Sequence, residues 1–169
     1  MSFSIGDAVV YGGTGVCKID EIKDVSFFHE RPQKHYILTP LFVKQPSTVY
    51  VPFNNEKLVS KMKPVITRAE AEQLIKYVKI NDGKWIDDRN ARKEQFINCL
   101  ANGTHKEIID LIGVITTRRE ELLNEGKTLN MQDEKILNDA ERRMTAELAV
   151  ALEIEPEDVK ALVRKELGK

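Results

Sequence analysis

Thr67-Arg68-Ala69-Glu70 divides this chain. A threonine followed three residues later by a glutamate is a capping box, in which each side chain satisfies an orphan backbone N–H at a helix start. Upstream of it, apolar residues come in short runs broken by glycine and proline. Downstream they recur at three- and four-residue spacings. Strands gathered first and helices second describe an α+β chain rather than a doubly wound sheet.

Working upstream, Ala8-Val9-Val10-Tyr11 is a β-branched and aromatic run stopped by Gly12-Gly13-Thr14-Gly15, which reads as a tight hairpin. Residues 16–22 alternate imperfectly, with Val16, Lys18, Asp20 and Ile22 on one face and Cys17, Ile19 and Glu21 on the other. Residues 35–43 and 47–52 supply two more strands. Pro46 and Pro52 bracket the last of these and suggest an edge position, because proline cannot donate to a ladder. Closely spaced short strands with glycine turns predict a small β-barrel or SH3-like sheet over residues 1–60, with 61–66 as a linker.

Working downstream, residues 67–169 predict a compact five-helix domain. Leu74, Ile75 and Val78 face a core, and Asn81-Asp82-Gly83 ends the first helix. A second helix is expected over residues 85–100, with Gly103 just past its end. Thr104-His105-Lys106-Glu107 is another capping box, and Gly126 closes the helix that it opens. Leu137, Ala140, Met144, Leu148 and Leu152 share one face of a fourth helix over 131–152. Pro156 sits at a first-turn position and begins the fifth.

Apolar residues make up 41% of the 169 and charged ones 31%, the composition of a soluble globular protein. No apolar run approaches the roughly 20 residues that cross a bilayer, and the N-terminal residues lack the pattern of a signal peptide. The two cysteines, Cys17 and Cys99, fall in separate predicted domains, which argues against a disulfide framework or a zinc site. A cytoplasmic location is expected. Net charge is −1, with a balance of +2 over residues 1–66 and −3 over 67–169. Neither half has the basic surplus of a domain that grips nucleic acid by bulk electrostatics.

A search for catalytic chemistry finds little. His29, His35 and His105 show no metal-ligand spacing, and His105 reads as a solvated surface residue. The glycine run lacks the lysine and following helix of a phosphate loop. Asp87-Asp88 reads as a pair of helix-start acids that favour the dipole rather than a catalytic dyad. The dibasic pairs Arg118-Arg119 and Arg142-Arg143 lie among acids at helical spacing and read as salt-bridged faces. No enzyme activity, cofactor or metal is expected.

Trp85, the single tryptophan, stands in a turn-like run before a charged helix, with Arg89, Arg92 and Lys93 following. An aromatic tip flanked by cations suits a wedge between stacked bases, an interface anchor or a plug between the two domains.

The run Phe3-Ser4-Ile5-Gly6-Asp7-Ala8-Val9-Val10-Tyr11 with Gly15-Val16, and then Val49-Tyr50-Val51-Pro52, resembles the opening module of the CarD family of bacterial transcription regulators. Transcription-repair coupling factors share that module. The stretch from Trp85 through Arg89, Arg92 and Lys93 to Leu100-Ala101-Asn102-Gly103 is similar to the family's helical domain. The resemblance implies a Tudor-like module docking on the RNA polymerase β subunit through Ser47, Thr48, Val49, Tyr50, Val51 and Pro52, with Val25 and Phe27 beside them. It further implies that Trp85 enters the minor groove of promoter DNA at the upstream edge of the melted bubble and slows its collapse. Lys84, Arg89, Arg92 and Lys93 would hold phosphates.

DNA contact is expected to be weak without polymerase, the protein to be a monomer carried to the nucleoid by polymerase, and no membrane to be involved. Two departures stand out. Gly12-Gly13-Thr14 replaces the family's proline and histidine, and the acids Asp87 and Asp88 follow the tryptophan where relatives often carry bases. The rival reading is a polymerase-bound interaction module that never touches DNA.

Overall fold

The computed structural model describes residues 2–78 and 83–168, which divide into two compact units, Met1–Ile66 and Thr67–Lys169. The first holds β1 (Ala8–Tyr11), β2 (Gly15–Val25), β3 (Gln33–Pro40), β4 (Val49–Pro52), a one-turn helix α1 (Glu56–Val59) and β5 (Met62–Pro64). The strands form one antiparallel sheet in the order β4-β3-β2-β1-β5. That order leaves β4 and β5 as edges, so the sheet is open where a closed barrel was expected. The 61–66 segment, expected as a linker, carries β5, which pairs with β1 through Val10 and Lys63.

The hairpin at Gly12-Gly13-Thr14-Gly15 is as tight as its glycines suggested. Tyr11 lies opposite Gly15, and Gly15 takes φ 86° and ψ −149°, a region open essentially to glycine alone. The imperfect alternation of residues 16–22 has a physical cause. Ile19 faces Leu38 and Glu21 faces Ile37, so Asp20 is an extra residue in the ladder. Such a bulge moves every later side chain to the opposite face. Cys17 and Ile19 therefore point into the core before it, and Ile22 packs against that core after it. Val9, Tyr36, Leu38, Val51 and Met62 complete the buried cluster. Burial pushes the Cys17 thiol up to about 11, which keeps it protonated and unreactive at neutral pH.

The second unit holds α2 (Arg68–Tyr77), α3 (Arg89–Asn102), α4 (His105–Asn124), α5 (Met131–Leu152) and α6 (Pro156–Glu166). Both capping boxes form: Thr67 with Glu70 and Thr104 with Glu107. Asn81 and Asp82, expected to stop α2, lie outside the described residues. Helix α3 starts at Arg89, four residues later than expected, because the Asp88 carboxylate accepts the Ala91 N–H and caps it. Aspartate is among the strongest N-caps, worth about 1 kcal/mol over alanine. Trp85 and Ile86 are thereby left in irregular chain ahead of the helix.

Helix α5 packs against α2, α3, α4 and α6. Its predicted face is buried throughout: Leu137, Ala140, Met144, Leu148 and Leu152. A helix contacted on so many sides is apolar around much of its circumference, and Ala146 and Ala149 are buried too. So is Glu147, whose carboxylate lies 2.9 Å from Nε2 of His105. His105 is thus a partner for a buried acid, while its side chain stays 40% exposed, as its first-turn position suggested.

Gly103 joins α3 to the capping box of α4, and a Cβ placed there would lie 2.5 Å from the Cys99 carbonyl oxygen. That oxygen belongs to backbone already held by the Gly103 N–H at 2.7 Å, so it has little room to move. Gly103→Ala is expected to destabilise this unit by about 1–3 kcal/mol. Thermal unfolding followed by Trp85 emission, which reports on the same unit, checks it; an unchanged midpoint would mean that the α3–α4 junction yields freely.

Candidate functional site

Two surfaces carry the residues singled out from the sequence. The first lies along β4, where Val49 and Val51 turn towards the sheet core and Tyr50 faces outward. Tyr50 is opposite Ile37, and Pro52 is opposite His35. Phe27, from the segment after β2, meets Tyr50 with ring centroids 5.3 Å apart and planes at 84°, and meets His35 at 5.6 Å and 72°. Edge-to-face packing of this kind satisfies the ring quadrupoles. With Val25, Pro52 and Leu58 the three rings line a depression of about 360 Å³.

The structure therefore brings Val25, Phe27, Tyr50 and Pro52 together. Ser47 and Thr48 precede the strand instead of forming its start. His35 and Leu58 also line this surface. Sequence reading passed over them because one was weighed as a metal ligand and the other sits in a helix too short to show a period. His35 is buried, and its Nδ1 lies 2.7 Å from the Gln33 carbonyl. That contact requires the proton on Nδ1 and fixes the ring beneath Phe27.

The second surface surrounds Trp85. Its indole packs edge-on to Phe96 at 5.9 Å, and its remaining area is partly open to solvent. Arg92, expected among the phosphate contacts, is only 6% exposed. Its Nε and Nη2 donate to the two Asp133 oxygens at 3.2 and 3.1 Å, and Nη1 donates to the carbonyls of Ile86 and Asp87. The guanidinium carbon stands 4.5 Å from the centre of the Trp85 ring, a cation–π distance. Arg92 is therefore unavailable to phosphate. It ties Ile86 and Asp87, the two residues after Trp85, to the first turn of α5, where an acid also suits the helix dipole.

Lys84, Arg89 and Lys93 are exposed, and none forms an ion pair among the described residues. Asp87 is exposed as well, whereas the Asp88 carboxylate is engaged at the helix cap. The dibasic pairs behave mostly as salt-bridged faces: Arg118 with Glu121, Arg119 with Glu134 and Arg142 with Asp139. Arg143 instead donates to the Leu100 carbonyl. Arg118 has a second contact that its sequence position did not signal, lying 5.8 Å from the Trp85 ring centre. A cation stacked on this indole thus comes from each of α3 and α4.

Removing one member of the buried pair should cost far more than removing both. Asp133→Ala leaves a guanidinium buried without its counter-ion and is expected to lose about 3–5 kcal/mol. Arg92→Met combined with Asp133→Leu is expected to recover most of that loss. Denaturant unfolding followed by Trp85 emission measures both; additive losses would contradict the coupling.

Against this geometry, comparison with known proteins is informative for the first unit. A search of curated proteins found no match. Residues 3–65 match the family model described as CarD-like/TRCF RID domain, a span that includes all five strands and the aromatic depression. Most of the first unit thus matches a CarD-like/TRCF RID domain, a protein-interaction domain whose presence implies binding to RNA polymerase.

Proposed function

We propose that this chain is a transcription regulator that docks on the β subunit of RNA polymerase and stabilises the open promoter complex through Trp85. The docking surface is the outer edge of β4 with the Val25, Phe27 and Tyr50 cluster. An exposed antiparallel edge accepts a further strand by main-chain hydrogen bonds, and side-chain pockets beside it supply specificity. The indole wedges into the minor groove at the upstream edge of the bubble, where it offsets part of the unstacking cost. Lys84, Arg89 and Lys93 hold phosphates.

The observation that carries this reading is the pairing of a polymerase-binding domain with a partly exposed single tryptophan beside three cations that form no ion pair among the described residues. Near-neutral charge fits the same picture. Polymerase raises the local concentration of the helical unit at the promoter, so the DNA contact itself can be weak. One observation favours the rival reading, a polymerase-bound module without DNA contact: Trp85 packs on Phe96 and contributes to its own core.

The two readings diverge in one experiment. Wild-type protein is expected to lengthen the lifetime of open complexes, and Trp85→Ala to shorten it roughly fivefold or more while still binding polymerase. That factor corresponds to about 1 kcal/mol of lost base–aromatic stacking. Equal lifetimes would leave the rival reading standing. Lys93→Ala is expected to reduce the slope of log lifetime against log salt by about one, as for a lost phosphate contact.

A further inference from the structure

Phe28 has no evident use within the fold. It is 95% exposed and makes no ring contact among the described residues. It sits at φ 49°, and His29 follows at φ 67°. The Glu30 N–H donates to the Phe27 carbonyl at 2.9 Å, and the Ser26 hydroxyl donates to the Glu30 carbonyl at 2.5 Å. Two successive left-handed residues closed by that bond have the φ signature of the mirror-image turn, normally filled by Asn-Gly. A side chain with a Cβ is strained there, and an aromatic one doubly ill-suited because it also exposes apolar surface.

We propose that Phe28 is an anchor side chain for the polymerase β subunit, inserted into an apolar pocket of that partner. The inference rests on the docking surface proposed above and extends it beyond β4. The extension follows from continuity: Phe28 directly succeeds Phe27, which lines the depression with Tyr50. The flanking Glu30 and Arg31 are exposed and form the polar rim that surrounds an apolar anchor in protein interfaces. The bond into Glu30 and the Ser26 contact fix the tip, so little ordering remains to be done when the partner binds.

This role sets stability and binding against each other. Phe28→Asn places a residue tolerant of the left-handed region at the tip and is expected to raise the thermal midpoint of the full chain's sheet signal by a few degrees. It is also expected to weaken binding to immobilised RNA polymerase by roughly tenfold or more. His29→Gly relieves the second strained position and keeps the ring, so it should raise the midpoint and bind like wild type. The anchor is overturned if Phe28→Asn binds within about twofold of wild type, or if it loses stability along with binding, since the ring would then serve the fold. Wild-type protein that fails to bind polymerase overturns the docking surface itself.

Discussion

A guanidinium nearly cut off from water must find its hydrogen-bond acceptors inside the protein, and the placement of Trp85 depends on how Arg92 does so. Four donated hydrogen bonds join the Asp133 carboxylate to the carbonyls of Ile86 and Asp87. The described chain just ahead of α3, residues 83–87, belongs to no helix or strand. Arg92 supplies hydrogen bonds there and places its guanidinium carbon 4.5 Å from the centre of the indole. A bidentate fork fits a carboxylate in a way that lysine cannot, so the substitution to lysine at this position would not be conservative.

Preorganisation of this kind matters for a side chain that has to enter stacked DNA. A freely rotating tryptophan on a loose segment would lose rotamer and backbone freedom on insertion, and that cost would come out of the stacking energy. Here Phe96, Arg92 and Arg118 already surround the ring. The acids Asp87 and Asp88, which look unfavourable beside phosphate in the sequence, are also partly explained. Asp88 is held by the Ala91 N–H at the positive end of α3, so its charge is offset by the helix terminus. Only Asp87 is left to repel phosphate, at about 1 kcal/mol per contact.

Local features carried the fold legibly. Capping boxes at Thr67 and Thr104, Gly126 after α4 and Pro156 at the start of α6 are each decided by neighbours within a turn, so α2, α4 and α6 could be placed from sequence. The edge position of β4 followed from its flanking prolines for the same reason. What could not be read depends on distant partners. Arg92 looked like one more surface cation because Asp133 lies 41 residues away. The pairing of His105 was hidden because Glu147 sits on another helix, and β5 looked like linker because its partner β1 lies at the opposite end of the unit. The bulge at Asp20 showed only as a flaw in alternation, and its meaning required the facing strand.

The central claim is that Trp85 passes from a partly exposed perch to a stacked position when the promoter melts. Replacing this one tryptophan with 5-hydroxytryptophan gives a fluorophore that can be excited apart from the tryptophans of polymerase, and acrylamide quenching then reports its exposure. The account predicts similar quenching for the free protein and for its complex with polymerase alone, followed by a marked loss of quencher access once the open complex forms. Quenching that stays the same through promoter melting would contradict it and leave Trp85 as part of the helical core only.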